Sequence, residues 1–408
     1  MLPHDRSLND RLLGNEGTHV QEPNHDEAVG RAVLALCAAR QELGPADIAG
    51  IIEATRTLAG AERAVLHVAD YALTSARALT PSGEMGEAYN LKGTLAGRAF
   101  TSGELVLADA TWWLPLVDGA ERLGVLELEY TATPPASEEL LRLLAGLLVL
   151  VIISVRRYTD VWLRTRRVRP LSAAAEAQWG LLPPLATIST DVAISGIVEP
   201  AYDIGGDSFD YALNMGRLHI AIVDAMGHGM AAVLMSTAVI NSLRNTRREH
   251  GDLESAYRQA DEIIERHFGN SAYVTGQFGS LDLATGVLTW VNAGHLLPML
   301  VRNGSYVGEL QCAPSMPLGL GGPVVQIAQE TLQRGDSVLF HTDGISESLS
   351  PAGGRFGQDR LADYFVRATL DGLRGPETVR RLSASVNTHV GGGLDDDATM
   401  LLVEYRPL

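Results

Sequence analysis

Aspartates recur in this 408-residue sequence where an apolar run breaks at glycine. In "IVDAMGHGM" (222–230), Asp224 closes an apolar stretch just ahead of two glycines. "DIGGDSFDY" sets Asp207 behind two glycines, at the head of a strand pattern. "VLFHTDGISE" puts Asp343 between an apolar strand pattern and Gly344. "GGGLDDDATMLLVEY" places Asp395, Asp396 and Asp397 directly before the last apolar strand. Carboxylates gathered together repel and raise one another's pKa. A divalent cation removes that cost, and hard oxygen donors suit Mg²⁺ or Mn²⁺. Glycine lets the backbone turn sharply and approach a cation or phosphate closely. Each fragment alone is ordinary: Asp-Gly is a common turn, and three aspartates in a row usually form a solvated loop. Together, four acidic strand ends point to a carboxylate-lined cation site.

The elements that would position these acids alternate in type over 191–408. Strands are expected near 191–199, 207–213, 217–224, 273–283, 287–292, 297–302, 324–331, 336–341 and 398–404, with helices near 229–248, 253–268, 357–371 and 376–390. The N-terminal third reads differently. Residues 1–26 are polar and aperiodic, as in a loose tail. Helical patterns follow near 27–42 and 46–59. Then come "ERAVLHVAD" and "ALTSARAL" as strands, "LKGTLAGRAFTSG" as a short helix, and "ELVLAD", "TWWLPLV" and "RLGVLELEY" as strands. Helices leading into an antiparallel sheet imply an α+β domain. Between the halves, "SEELLRLLAGLLVLVIISVRRYTDVWLRTRRVR" reads as one long helix with Ser137 as its cap. Its middle is apolar nearly all round, so it should be buried, most simply against a partner copy. Its six arginines between Arg156 and Arg169 could meet an anionic membrane, but a homodimer through this connector is favoured over membrane contact. Pro183 and Pro184 end the helical region.

Two resemblances sharpen this picture. Residues 27–136 resemble a GAF domain in element order, in "LKGTLAGRAFTSGELVLAD" and in "LPLVDGAERLGVLELE". Such domains often sense small ligands or form dimers, and this ligand is unknown. Residues 180–404 resemble the bacterial branch of the metal-dependent protein phosphatases (the protein phosphatase 2C-like, or PPM-type, superfamily), as in stage II sporulation protein E and the sigma-regulating phosphatases. The motifs run in family order: "LLPP", "GGDSFD", "VDAMGHGMAA", "GSLDLATGVLTWVNAGHLLPML", "MPLGL", "HTDGISES" and "DDATMLLV".

The resemblance implies an α-β-β-α sandwich with two divalent ions, Mn²⁺ or Mg²⁺, at one end. It implies that Asp207 binds the second ion, Asp224 bridges both, and the backbone carbonyl of Ala225 completes the second site. Asp343 and Asp396 would hold the first ion, with Asp397 as the one-residue alternative. Ions about 3.5–4 Å apart share a water and make hydroxide available near neutral pH. The implied activity is serine/threonine phosphoprotein hydrolysis, and the implied substrate is a phosphorylated anti-sigma-factor antagonist. Departures from the eukaryotic branch also matter. Met226 stands where those relatives carry a histidine. His228 belongs to the bacterial "GHG" version and is a candidate proton donor. The eukaryotic phosphate-binding arginine has no clear counterpart. His295 is expected to be structural, Asp282 a turn residue and Asp210 an outer partner of the site.

The chain thus divides into a tail (1–26), a GAF-like sensor (27–136), a helical connector (137–182) and a phosphatase domain (183–408). Its formal net charge of −17 argues against nucleic-acid binding. Cys37 and Cys312 are too few and too far apart for a disulfide framework or a thiolate metal site. The uncharged apolar stretch Leu143–Val155 is shorter than the about 20 residues of a membrane span. With no apolar leader at the start, a cytoplasmic location is expected. The competing readings are a non-catalytic pseudophosphatase scaffold and a hydrolase of nucleotides or small phosphates.

Overall fold

The computed structural model describes residues 47–131, 137–203, 205–269, 271–391, 394 and 396–407, together with 30, 34, 35 and 38. The tail expected over 1–26, most of the helix expected over 27–42, Cys37 and Asp395 lie outside the described residues. The chain forms two compact units divided between Val168 and Arg169, with the turn 119–121 grouped with the second.

The first unit starts with helix α1 (Ile48–Ala59). The Asp47 carboxylate accepts from Gly50 N–H at 2.7 Å at one end, and Gly60 turns left-handed at the other. Strands β1 (Arg63–Ala69), β2 (Ser75–Leu79) and β3 (Met85–Asn90) follow, then helix α2 (Leu95–Ser102) and strands β4 (Val106–Ala108), β5 (Thr111–Asp118) and β6 (Glu121–Glu129). They pair in the order β3-β2-β1-β6-β5-β4. Strand β3 escaped sequence reading because it is an exposed edge with no apolar alternation to betray it. The α+β character expected here is what the structure has.

The connector is not one long helix. It is three: α3 (Glu138–Val155), α4 (Val161–Arg166) and α5 (Ala173–Leu181). The first break comes where Thr159 Oγ1 takes the Val161 N–H at 3.2 Å and starts a new N-terminus. The second spans Pro170, which cannot continue a helix. Nor does the apolarity of α3 call for a partner copy. Leu141, Leu144, Leu148, Val149 and Ile152 are buried in the same core as Leu66, Leu114 and Leu126 of the first unit's sheet. Among the described residues, no helix is long and apolar enough to cross a membrane.

The second unit contains β7 (Ala186–Ile188), β8 (Val192–Glu199), β9 (Ser208–Asn214), β10 (Arg217–Ala225), α6 (Met230–Arg248), α7 (Leu253–Phe268), β11 (Val274–Asp282), β12 (Val287–Ala293), β13 (Met299–Arg302), β14 (Ser305–Glu309), β15 (Ile327–Thr331), β16 (Ser337–His341), the single turn α8 (Asp343–Ser346), α9 (Gln358–Leu370), α10 (Gly375–Val390) and β17 (Ala398–Tyr405). A five-stranded sheet runs β15-β12-β11-β10-β9, and a six-stranded sheet runs β14-β13-β16-β17-β8-β7. Strand alternation divides their side chains between two faces. Ala221, Val223 and Ala225 of β10 pack with Val239, Ile240, Tyr257 and Ile264 of α6 and α7. Met400 and Leu402 of β17 pack with Leu361, Phe365, Leu382 and Val386 of α9 and α10. The opposite faces meet each other: a Cβ on Gly196 of β8 would stand 2.3 Å from the Phe209 ring of β9. The unit is therefore a two-sheet sandwich with helices on both outer faces.

Candidate metal centre

Side-chain parity explains why acids gather at one end of this sandwich. On β10, Asp224 shares the inward face of Ile220 and Ile222, because Ala221, Val223 and Ala225 point to the helices. Asp207 keeps the parity of Phe209, which also points between the sheets. Thr399 keeps that of Leu401 on β17, opposite to Met400 and Leu402. These inward strands carry their polar groups to the end of the core, where the sheet gives way to glycine turns.

The turns interlock tightly. Asp397 Oδ2 accepts from Gly205 N–H at 2.7 Å, from Gly206 N–H, and from Asp207 N–H at 3.4 Å. The Ser236 hydroxyl of α6 holds the Gly206 carbonyl. A Cβ on Gly206 would stand 2.6 Å from the Ala225 carbonyl oxygen, and one on Gly344 only 1.8 Å from the Asp397 carbonyl. No other residue lets these backbones come so close. The Ala225 carbonyl thus lies against the turn that delivers Asp207.

The charges expose the cost of this gathering. Asp207 is 2% exposed, and its pKa is driven well above the usual carboxylate range by burial, then by Asp224 and Asp397. Burial pushes Asp224 up to about 7, and the charges of Asp343, Asp396 and Asp397 add to it. Asp343 is raised by burial, Asp396 and Glu347. Burial lifts Asp397 to about 6 against the pull of the Gly205 and Asp207 N–H groups. Among the described residues, no lysine or arginine pairs with any of these acids. Nor, among the described residues, do three His, Cys, Asp or Glu side chains already close around one point. The donor set, hard oxygens with an excess of negative charge, fits Mg²⁺ or Mn²⁺.

The structure brings Asp207, Asp224, Asp343, Asp396 and Asp397 into one electrostatic neighbourhood and gives the last two different surroundings. Asp397 is engaged by the backbone of the Gly205–Asp207 turn, whereas Asp396 is exposed and accepts only the Asp397 N–H, at 2.9 Å. Asp343 and Asp396 line an open groove with Gly344, Glu347, Ser348, Leu349 and Val390. His228 is exposed on the β10–α6 turn and close enough to Asp397 to lower its pKa. Asp210 is buried and belongs elsewhere: it pairs with Arg244 at 2.7 Å and Arg247 at 3.0 Å on α6. Asp282 caps its own turn, accepting from Ala284 and Thr285 N–H groups. The His295 ring bonds Thr275 Oγ1 at 2.9 Å, beside Asp224 in the β10–β11 register, and Asn292 grips the His295 backbone at both ends.

Sequence reading missed Thr342. Its hydroxyl lies 2.6 Å from Asp207 Oδ2 and takes the Thr399 N–H at 2.9 Å. The available signal was a polar residue at the end of the wholly buried strand β16, immediately before Asp343.

Comparison with known proteins finds similarity in this half of the chain. Residues 214–406 match the family model described as stage II sporulation protein E (SpoIIE). Protein IcfG of Synechocystis sp. is 24% identical over 243 residues, covering 52% of this chain and 38% of IcfG. Phosphoserine phosphatase RsbP of Bacillus subtilis is 24% identical over 183 residues, covering 43% of this chain and 44% of RsbP. The solved SiaA-PP2C domain of Pseudomonas aeruginosa aligns at 21% identity with a TM-score of 0.49, covering 57% of this chain and 94% of that one. The chain spans less than half the length of either curated relative. Asp207 precedes the family match, while Asp224, Asp343, Asp396 and Asp397 fall inside it: from residue 214 to residue 406, this chain is similar to the SpoIIE family.

Proposed function

We propose that the second unit is a metal-dependent protein serine/threonine phosphatase. The observation that carries this reading is the cluster of buried or half-buried carboxylates, raised in pKa and without a cationic side chain, at the end of a sandwich of SpoIIE-family sequence. Asp207, Asp224 and the Ala225 carbonyl would hold one divalent ion, and Asp224, Asp343 and Asp396 the other. Bound there, Mn²⁺ or Mg²⁺ supplies Lewis acidity toward the phosphoryl oxygens and acidifies a water for attack on phosphorus. The chain's own residues do the rest. Asp397 pins the glycine turn that carries Asp207, so our assignment makes it an anchor and leaves the ligand position to Asp396. His228, exposed beside Asp397, serves as the proton donor to the departing serine or threonine oxygen.

The name of RsbP, a phosphoserine phosphatase, supports a phosphoserine protein as substrate class. Within that class, the motif resemblance favours a phosphorylated anti-sigma-factor antagonist. Regulation would come from the first unit, read as a GAF-like sensor of a small ligand. A homodimer would be seamed along the outer strip of α3, where Leu150 is 62% exposed. Because α3 completes the first unit's core, a truncation that tests regulation should begin at Arg169 and not within α3. An unchanged rate and metal requirement in that truncation would count against regulation by the first unit.

Phosphate release from phosphoserine proteins with Mn²⁺, run beside Asp224→Ala, tests the activity. Comparable release by that variant would remove the mechanism, and release only from free nucleotides would change the substrate class.

A further inference from the structure

We propose that Thr342 is a positioning residue of the metal centre: its hydroxyl fixes the Asp207 carboxylate and thereby sets the affinity for one of the divalent ions. The inference rests on the metal-centre reading above and adds to it a residue outside the ligand set.

The argument is one of proton accounting. Thr342 is fully buried at the end of β16, so water cannot satisfy its hydroxyl. A hydroxyl has one proton to give and lone pairs to receive with. The Thr399 N–H, 2.9 Å from Thr342 Oγ1, can only donate, so it takes a lone pair. The single proton is left for Asp207 Oδ2, at 2.6 Å. The donor itself cannot wander. Thr342 N–H returns a bond to the Thr399 carbonyl at 3.0 Å, so the two threonines are tied twice.

This one hydroxyl joins three segments that each carry an acid of the site. Asp207 follows the Gly205–Gly206 turn, Thr342 precedes Asp343, and Thr399 lies two residues beyond Asp397. A buried carboxylate among like charges would otherwise rotate away from its neighbours. The Thr342 bond holds it inward, turned toward the other acids of the site.

The test is Mn²⁺ titration of the full chain by calorimetry, with metal-free melting curves alongside. Thr342→Val keeps the shape and removes the hydroxyl. It should weaken one class of Mn²⁺ site by about 10–100-fold, the usual cost of losing a ligand's outer hydrogen bond. Thr342→Ser, which keeps the hydroxyl, should bind Mn²⁺ as the wild type does. Wild-type affinity in Thr342→Val would overturn the proposal. So would equal weakening in Thr342→Ser, since the lost methyl would then be responsible. Should Thr342→Val fail to fold, Thr342→Cys replaces the hydroxyl with a weak thiol donor: reduced affinity supports the proposal and wild-type affinity overturns it. A wild-type chain that binds no Mn²⁺ would overturn the metal-centre reading itself, and the proposal with it.

Discussion

Asp207 and Asp210 lie three residues apart at the head of β9, each 2% exposed, yet they keep different company. Asp210 sits among two guanidinium groups. Arg244 gives it two bonds, at 2.7 and 3.1 Å, and Arg247 a third at 3.0 Å. Arg244 also donates to the Leu181 carbonyl at 2.8 Å, so Asp210 helps fasten α6 and the end of α5 to the sheet. Asp207 has the Thr342 hydroxyl, the Thr399 side chain and, beyond these, the charges of other aspartates. Burial alone therefore does not distinguish structural from functional acids. The neutralising partner does: where the chain supplies it, the acid is a fastening, and where the chain withholds it, the acid fits the proposed cation site.

The largest expected effect falls on catalysis. Asp224→Ala should reduce Mn²⁺-dependent phosphate release by more than about 100-fold, beyond the loss caused by removing an outer partner. Asp210→Asn should leave the rate of its folded fraction within about tenfold of wild type, the lower end of such outer-partner costs. Equal losses in the two would erase the distinction between the acids.

Stability should reverse the order. Asp210→Ala strands two partly buried arginines, and breaking such a pair should cost about 3 kcal/mol in urea unfolding. Asp207→Asn, measured in EDTA, should cost nothing or stabilise, because it removes one of several repelling charges. If Asp207→Asn were as damaging as Asp210→Ala without metal, Asp207 would be a structural acid after all.

The sequence displayed one side of this contrast better than the other. Strand ends with acids beside glycine were visible because both residue types are conspicuous against apolar runs. The two sheets of the second unit followed from ordinary alternation, and only the short strands β7 and β14 and the single turn α8 were missed. What could not be read was pairing. Nothing in the order of residues says that Arg244 and Arg247, more than thirty positions downstream, turn back onto Asp210 while, among the described residues, Asp207 gets no cationic partner. Thr342 was hidden for the same reason, since its role depends on Thr399 and Asp207 arriving from distant segments. The connector was misjudged because an all-round apolar helix announces burial without naming what covers it. Here the cover is the first unit's own sheet.

The subtlest expected effect is a pH dependence that changes sign with metal. Asp224 has a folded-state pKa of about 7, raised by burial and by Asp343, Asp396 and Asp397. An unfolded aspartate titrates near 3.9, so between roughly pH 4 and 7 the folded chain holds a proton that the unfolded chain has lost. In the metal-free protein this group therefore costs nothing below about pH 4, costs more as pH rises, and reaches its full penalty above about pH 7. Asp224→Asn removes a group that must ionise. In EDTA the variant should melt higher than wild type at pH 8 by at least about 2–4 °C, the response of a domain of this size to each 1 kcal/mol of that penalty, with the gap closing by pH 4. Saturating Mn²⁺ at pH 8 should invert the ranking, because the ionised Asp224 then becomes a ligand and binding stabilises the folded state that the variant cannot offer. A wild-type advantage in EDTA at every pH would mean that Asp224, like Asp210, has its neutralising partner within the chain.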